Sequence, residues 1–277
     1  MGLYVNVSAY KFINLTNLEG LKGQLLRKSF DLNLKGTILL SEEGVNLFVA
    51  GLESDIETFK HFLSHELQMG DFPFKDSPSL HKPFRRMLVR IKKEIISMGC
   101  PEIKPAENPA PRLTVEELKS WFDSQKDFVI LDTRNDYEVR LGTFKNAMDL
   151  NLKTFRAFPE AIKALPDSMK NKTIVTFCTG GIRCEKAAPL MIKNGFKDVY
   201  QLDGGILRYF EKCGGEHYDN ECFVFDRRVA VDANLQETQT TQCYACRSPL
   251  TSEEQNSPDY VASESCPYCI TIAADTK

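Results

Sequence analysis

Chemistry in this chain is concentrated at Cys178. It opens the run Cys178-Thr179-Gly180-Gly181-Ile182-Arg183-Cys184, which lies between a β-type stretch, Thr173 to Phe177, and a helical pattern from Glu185 to Asn194. Two glycines let the turn tighten until several backbone N–H groups converge on the sulfur, and the N-terminus of the following helix adds its partial positive charge. Arg183 contributes a full charge at the far end of the loop. Thiols in such surroundings fall to a pKa of roughly 3.5–7.5. Cys178 is therefore a candidate nucleophile and Arg183 its charged partner, with Thr179, Gly180, Gly181, Ile182 and Cys184 forming a cradle for an anion. The plainer alternative is a structural cysteine before a turn, for which glycines and an arginine make a poor apolar pocket. Cys184 could resolve an oxidised Cys178, or simply be a buried cysteine in the first turn of a helix.

A second constellation is Cys243-x-x-Cys246 and Cys266-x-x-Cys269, two pairs separated by nineteen residues. This is close to the spacing of four-thiolate zinc sites, whose closed coordination shell implies a structural Zn2+ rather than a catalytic one. Unliganded thiols in a flexible tail, or a redox dithiol, are the alternatives. Zinc also explains how a segment so poor in apolar residues gains order. A third cluster is basic: His81 to Lys93 holds Lys82, Arg85, Arg86, Arg90, Lys92 and Lys93 without an acid, with Phe84 among them.

The 277 residues that position these groups carry a net charge of −3, which describes a globular chain of two or three domains. Overall acidity argues against bulk affinity for nucleic acid but leaves room for a local basic patch. No run is long enough to span a bilayer, and Met1-Gly-Leu-Tyr-Val-Asn6 lacks the basic flank and apolar core of a signal peptide, so no membrane association and a cytoplasmic location are expected. Nine cysteines fit metal or catalytic use in a reducing compartment better than a disulfide framework. Cys100, Cys213 and Cys222 carry no separable signal.

Four prolines between residues 99 and 112 read as a linker. Before it, residues 1–98 read as βαββαβ, a ferredoxin-like order: a strand near Tyr4 to Ile13, a helix from Leu18 to Phe30, strands at Thr37 to Leu40 and Val45 to Val49, a second helix, and a last strand from Met87 to Ile96. Ser54-Asp-Ile-Glu57 fits a capping box at the start of that second helix, and Ser41-Glu-Glu-Gly44 fits a hairpin turn. After the linker, residues 113–215 alternate strand and helix as in a parallel α/β sheet, in which a cysteine at the carboxyl end of a strand sits where ligands bind. Thr114-Val-Glu-Glu117 is another capping box, and Phe128 to Leu131 a buried strand. Residues 216–277 form a less regular extension carrying the cysteine pairs.

In the second domain, Asp132-Thr-Arg134-Asn-Asp-Tyr-Glu138, Gly142 to Ala147, Cys178 to Arg183 and Leu202-Asp-Gly-Gly-Ile206 together resemble the rhodanese fold, in which the loop cysteine carries a persulfide. A phosphatase loop has five residues between cysteine and arginine. Here there are four, a ring better suited to sulfur than to phosphate.

More of the chain, namely Glu43-Gly-Val-Asn46, Asp132 to Asn135, Phe155-Arg-Ala-Phe-Pro159, Cys178 to Lys186 and Cys222 to Val229, resembles the bacterial tRNA uridine hydroxylases. That resemblance implies oxygen-dependent hydroxylation of the wobble uridine to 5-hydroxyuridine, with the residue matching Cys178 essential. The expected partner is a tRNA anticodon loop and the cosubstrate molecular oxygen. No flavin, haem or facial-triad iron signature is present, which leaves the electron donor unassigned, and no obligate protein partner is evident.

On this reading Asp132, Arg134, Asn135, Glu138, Asp226 and Arg228 support the site. Arg134 and Glu138 either brace the loop through a buried ion pair or meet substrate; Asp226 and Arg228 either reach the site or pair with each other. Lys82, Arg85, Arg86 and Arg90 are either tRNA phosphate contacts or the wet face of an edge strand. Two other functions compete: a sulfurtransferase or persulfide carrier, and a non-enzymatic RNA-binding adaptor.

Overall fold

The computed structural model describes residues 4–79, 81 and 84–270; Lys82, one of the expected RNA contacts, lies outside them. The N-terminal part is built from β1 (Tyr4–Phe12), α1 (Leu18–Asp31), β2 (Lys35–Ser41), β3 (Gly44–Leu52), α2 (Glu53–His61), β4 (Lys75–Ser79) and β5 (Met87–Ile91) in one sheet of order β4-β1-β3-β2-β5. The first four strands in that order are antiparallel to their neighbours, as the βαββαβ reading requires.

Its last strand is corrected, however. The fourth strand is the polar Lys-Asp-Ser-Pro-Ser of β4, which escaped notice because an edge strand needs no apolar alternation and tolerates proline. The Met87 run instead adds a fifth strand, parallel to β2 at the opposite edge, and it ends at Ile91 rather than Ile96.

The capping box at Ser54 is also absent. The helix begins two residues earlier, at Glu53 with Leu52 as its cap, so Ser54 lies inside the first turn and Glu57 pairs with Lys60 instead. The hairpin between β2 and β3 forms where expected, with Ser41 opposite Gly44. Gly44 has φ 146°, and a Cβ there would stand 2.1 Å from the Lys11 carbonyl oxygen, so only glycine fits.

Period-two alternation divides this sheet into two faces. Val7, Ala9, Val45, Leu47 and Val49 pack against Leu25 of α1 and against Ile56 and Phe59 of α2. Asn6, Ser8, Tyr10, Asn46 and Phe48 point the other way and border a cavity shared with the rest of the chain. The face left without helices is therefore the one that meets the next domain.

The second sheet is parallel throughout: β6 (Arg112–Leu113), β7 (Val129–Asp132), β9 (Met148–Asp149), β10 (Thr173–Phe177) and β11 (Asp198–Leu202), in the order β6-β11-β10-β7-β9. Between them run α3 (Val115–Asp123), α4 (Asp136–Leu141), β8 (Gly142–Phe144), α5 (Phe158–Lys163), α6 (Cys184–Lys193) and α7 (Gly205–Cys213). Ile174, Leu131 and Val199 pack with α5 and α6, whereas Val175, Ile130 and Phe177 pack with α3 and α7. Covering on both faces is what makes these strands apolar on both sides.

Thr114 caps α3 with the reciprocal Glu117 bond that its spacing implies. The proline-rich connection is not free: Met98, Ile103 and Ala110 are buried with α5 and α6. Beyond α7, short strands β12 (Tyr218–Asn220), β13 (Cys222–Phe223) and β14 (Ala230–Val231) return to the parallel domain, β12 pairing with β8. Strands β15 (Thr241–Gln242) and β16 (Pro249–Leu250) and helix α8 (Ser252–Gln255) flank the cysteine pairs, Cys243 and Cys246 lying between the two strands and Cys266 and Cys269 beyond the helix. Arg140 of α4 donates to the Pro249 carbonyl at 2.7 Å and lies over the Tyr268 ring, which docks this extension. No helix among the described residues is long and apolar enough to cross a membrane.

Candidate active site

Cys178 follows directly on β10, at the carboxyl end of the parallel sheet. Its loop closes at the N-terminus of α6, where the Cys184 N–H donates to the Gly181 carbonyl at 3.0 Å. Gly181 takes φ 96°, and its N–H donates to the Cys178 sulfur at 3.1 Å. The start of α7 presses on the loop from behind, with Ile206 N donating to the Cys178 carbonyl at 3.0 Å and Leu207 N to the Thr179 carbonyl at 3.1 Å. A Cβ at Gly205 would stand 2.4 Å from the Cys178 carbonyl oxygen, so the glycine pair before α7 is what lets the helix approach.

Burial by itself raises the Cys178 pKa. A hydrogen bond from the Cys184 thiol, the Arg183 charge and the N–H groups of Arg183 and Gly181 outweigh it and bring the value down to about 5. Cys184 moves the opposite way, driven up by burial and by its neighbour's charge. The two sulfurs thus have different states near neutral pH: Cys178 is the thiolate, and Cys184 a neutral thiol behind the loop with Thr133 Oγ1 at 3.8 Å.

The expected support residues form three buried ion pairs, of which the Asp226–Arg228 pair is one that the sequence offered. Arg134 and Glu138 do not pair with each other. Arg134 grips Asp132, with Nε and Nη2 on both carboxylate oxygens, and also reaches the Gly142 carbonyl at 2.6 Å. Glu138 receives both terminal nitrogens of Arg183, at 2.6 and 2.7 Å. The correction follows from geometry, because Arg134 turns back along its own strand end while Arg183 points across the top of the sheet to α4. Asp226 and Arg228 pair with each other and also border the cavity, and Arg228 Nη1 donates to Ser77 Oγ of β4 at 2.9 Å. Asn135 borders the same cavity.

That cavity, about 1050 Å³, lies between the two sheets. Cys178, Thr179, Gly180, Ile182 and Arg183 form its floor on one side, and Tyr10, Asn46, Phe48 and Lys75 face them from the N-terminal sheet. Cys178 borders it while keeping no accessible surface of its own. Phe225, 47% exposed, packs edge-on against Phe223 and lies near both Phe48 and Arg183 on the rim.

Several contributors stand outside the expected site residues. Lys75 Nζ donates to the Gly180 carbonyl at 2.8 Å and sits over the Tyr10 ring. Tyr10 donates to Glu185 at 3.0 Å. Lys186, almost fully buried, holds Glu43 and Glu94 of the N-terminal part at 2.8 Å each. Glu43 belongs to a segment singled out beforehand, but its partner could be found only in the fold.

Arg85, Arg86 and Arg90 are exposed at and just before the edge strand β5 and make no ion pair among the described residues. Lys92, Lys93 and Phe84 border the cavity mouth. This placement suits both readings of the basic cluster.

Among the described residues, Cys243, Cys246, Cys266 and Cys269 bring their sulfurs within 4.8 Å of one another. The Cys246–Cys266 and Cys266–Cys269 separations are 3.6 and 3.7 Å. A Zn–S bond of about 2.3 Å gives a tetrahedral edge of about 3.8 Å, so the four thiols fit a metal of that size.

Comparison with known proteins adds relatives. The UPF0176 acylphosphatase like domain matches residues 4–95 and the Rhodanese-like domain residues 114–212. A tRNA uridine(34) hydroxylase from Cupriavidus pinatubonensis is 49% identical over 271 residues, 96% of each chain. One from Burkholderia vietnamiensis is 48% identical over 279 residues, 98% of each chain. Among solved structures, a rhodanese-like domain from Anabaena sp. is 23% identical with a TM-score of 0.34, covering 40% of this chain and 80% of that one.

Proposed function

Because the chain belongs to the tRNA uridine(34) hydroxylase family, we propose that it hydroxylates the wobble uridine of tRNA at C5, with molecular oxygen as cosubstrate and Cys178 as the essential nucleophile. One observation carries the reading. A sulfur held as thiolate borders an interdomain cavity of about 1050 Å³, roomy enough for a pyrimidine nucleoside. Loop bases are already partly unstacked, so delivering one into such a cavity costs only a few kcal/mol.

The chemistry explains why a thiolate is needed. C5 of a uracil ring is too weakly nucleophilic to meet an oxidant, and addition of Cys178 at C6 turns the ring into an enolate whose C5 is electron-rich. Loop N–H groups and the Arg183 charge are then placed to stabilise developing negative charge. Oxygen enters at C5, and loss of the C5 proton with departure of the thiolate restores the ring. Inserting one atom of O2 also consumes two electrons, from a donor that no residue here identifies. Phe225 offers a face on which the base or its neighbour can stack. Arg85, Arg86 and Arg90 contact the anticodon stem phosphates, with Lys82 beside them in sequence.

The remaining assignments belong to the same proposal. Asp132 with Arg134, and Asp226 with Arg228, hold the walls of the site, and Asn135 faces the substrate. Cys243, Cys246, Cys266 and Cys269 hold a structural Zn2+, which would supply cross-linking of the C-terminal extension and no reaction step. The working units are 1–98, 113–215 and 216–277, joined by 99–112, acting in the cytoplasm.

Nucleoside analysis tests the function: tRNA from cells lacking this protein should lose 5-hydroxyuridine at position 34, and purified protein should restore it. Restoration by a Cys178→Ser protein would remove the thiolate from the mechanism.

A second reading is favoured by the Gly181 N–H on the sulfur, which also suits a persulfide on Cys178 serving as carrier or reductant. A tRNA with 5-fluorouridine at position 34 separates the two. Addition at C6 should leave a covalent adduct through Cys178, whereas activity that tracks persulfide occupancy without any adduct would decide for the carrier.

A further inference from the structure

The carbonyl that Lys75 binds and the N–H that the sulfur binds belong to one peptide unit. Lys75 Nζ lies 2.8 Å from the Gly180 carbonyl oxygen, and the Gly181 N–H across the same peptide plane lies 3.1 Å from the Cys178 sulfur. In a trans peptide these two groups point in opposite directions. Holding the oxygen outward therefore holds the N–H inward.

The unit joins two glycines, and Gly181 has φ 96°. Glycine populates positive and negative φ with similar ease, so rotation of such a peptide meets little steric resistance. In the flipped state the carbonyl, rather than the N–H, would face the thiolate. We propose that Lys75 is a positioning residue that latches the Gly180–Gly181 peptide, so that docking of the N-terminal sheet sets the nucleophilicity of Cys178. Without that sheet, the loop of the parallel domain holds the sulfur with one fewer oriented donor.

The surroundings of Lys75 are consistent with this role. Burial brings its pKa down to about 8, partly opposed by the negative charges of Cys178, Asp203 and Glu185 and reinforced by Arg208, while the Tyr10 ring lies beneath it. The latch is thus charge-assisted at neutral pH and weakens as the amine loses its proton above about 8.

The test is the pH dependence of Cys178 alkylation by iodoacetamide in the full chain, with the modified residue located by mass spectrometry. A hydrogen bond to a charged group corresponds to roughly one to two pH units. Lys75→Met should therefore raise the midpoint by about that much and slow alkylation on the acid side roughly tenfold or more. Lys75→Gln, which keeps a donor without the charge that also acts on Cys178, should return the midpoint toward that of the parent; a midpoint as high as that of Lys75→Met would assign the shift to charge and overturn the latch.

Lys186→Gln provides the control for a loosened domain contact, because it removes both cross-domain ion pairs, to Glu43 and Glu94, without touching the peptide. An equal shift in Lys186→Gln and Lys75→Met would overturn the latch in favour of domain loosening. An unchanged midpoint in Lys75→Met would overturn it outright. Neither readout involves tRNA, so both are independent of whether hydroxylation is the reaction.

Discussion

Arg183 reaches Glu138, 45 residues earlier in the chain, with both terminal nitrogens, and so lends the sulfur loop its charge from a fixed position rather than as a mobile side chain. Both residues are buried, and the carboxylate also accepts the backbone N–H of Asn135, where α4 begins. The pair fastens the end of the loop to α4, an earlier element of the same domain.

Removing one partner of such a pair leaves a buried charge uncompensated, which costs about 3–5 kcal/mol. Glu138→Ala should lower unfolding stability by about that amount in urea, whereas the exposed Lys163→Ala, which breaks only a surface pair with Glu160, should cost less than about 1 kcal/mol. Equal losses would show that the Arg183–Glu138 pair has no structural weight.

Arg183→Ala takes away a cation that depresses the Cys178 pKa, so alkylation of that thiol should need a higher pH. An alkylation profile that stays in place would take Arg183 out of the electrostatics of the sulfur.

Cys178→Ser should keep the fold and abolish 5-hydroxyuridine formation, since a serine hydroxyl is far too weakly acidic to ionise here. It should also change how stability depends on pH. The folded thiol titrates near 5 and the unfolded one near 9, so its contribution is fully present above 9, fades as pH falls, and is gone below 5. Relative to the serine variant, the parent should gain stability as pH rises across that window; parallel curves would contradict the depressed thiol.

Elemental analysis of protein prepared under reducing, chelator-free conditions should find one zinc per chain. Cys243→Ser should lose it and make the residues after 240 more susceptible to protease, while Cys178 alkylates as before. Metal-free protein with an equally protected extension would reject the site.

Replacing Arg85, Arg86 and Arg90 together should weaken tRNA binding and flatten its salt dependence, because each phosphate contact contributes about 0.7 to 0.9 to the logarithmic slope. Equal slopes for variant and parent would leave these arginines as the solvated edge of β5.

What the amino-acid sequence determined by itself lies in runs of contiguous residues with a strong local pattern. The loop from Cys178 to Cys184 is one strand end, one tight turn and one helix start, and that local order is enough to place its donors beside the sulfur. The thiol pairs at Cys243 and Cys266 are legible for the same reason, since ligand spacing is a local property, and so are the short apolar runs of the parallel strands.

Tertiary structure decided what faces that loop. Lys75 lies in a polar edge strand with no pattern to mark it, and Tyr10 reads as an ordinary strand residue until the bare face of its sheet closes over the cysteine. The ion partners were likewise beyond reach. Opposite charges at Asp132, Arg134, Glu138 and Arg183 allow more than one pairing, and only the direction of each side chain, set by packing, chooses Asp132 with Arg134 and Glu138 with Arg183.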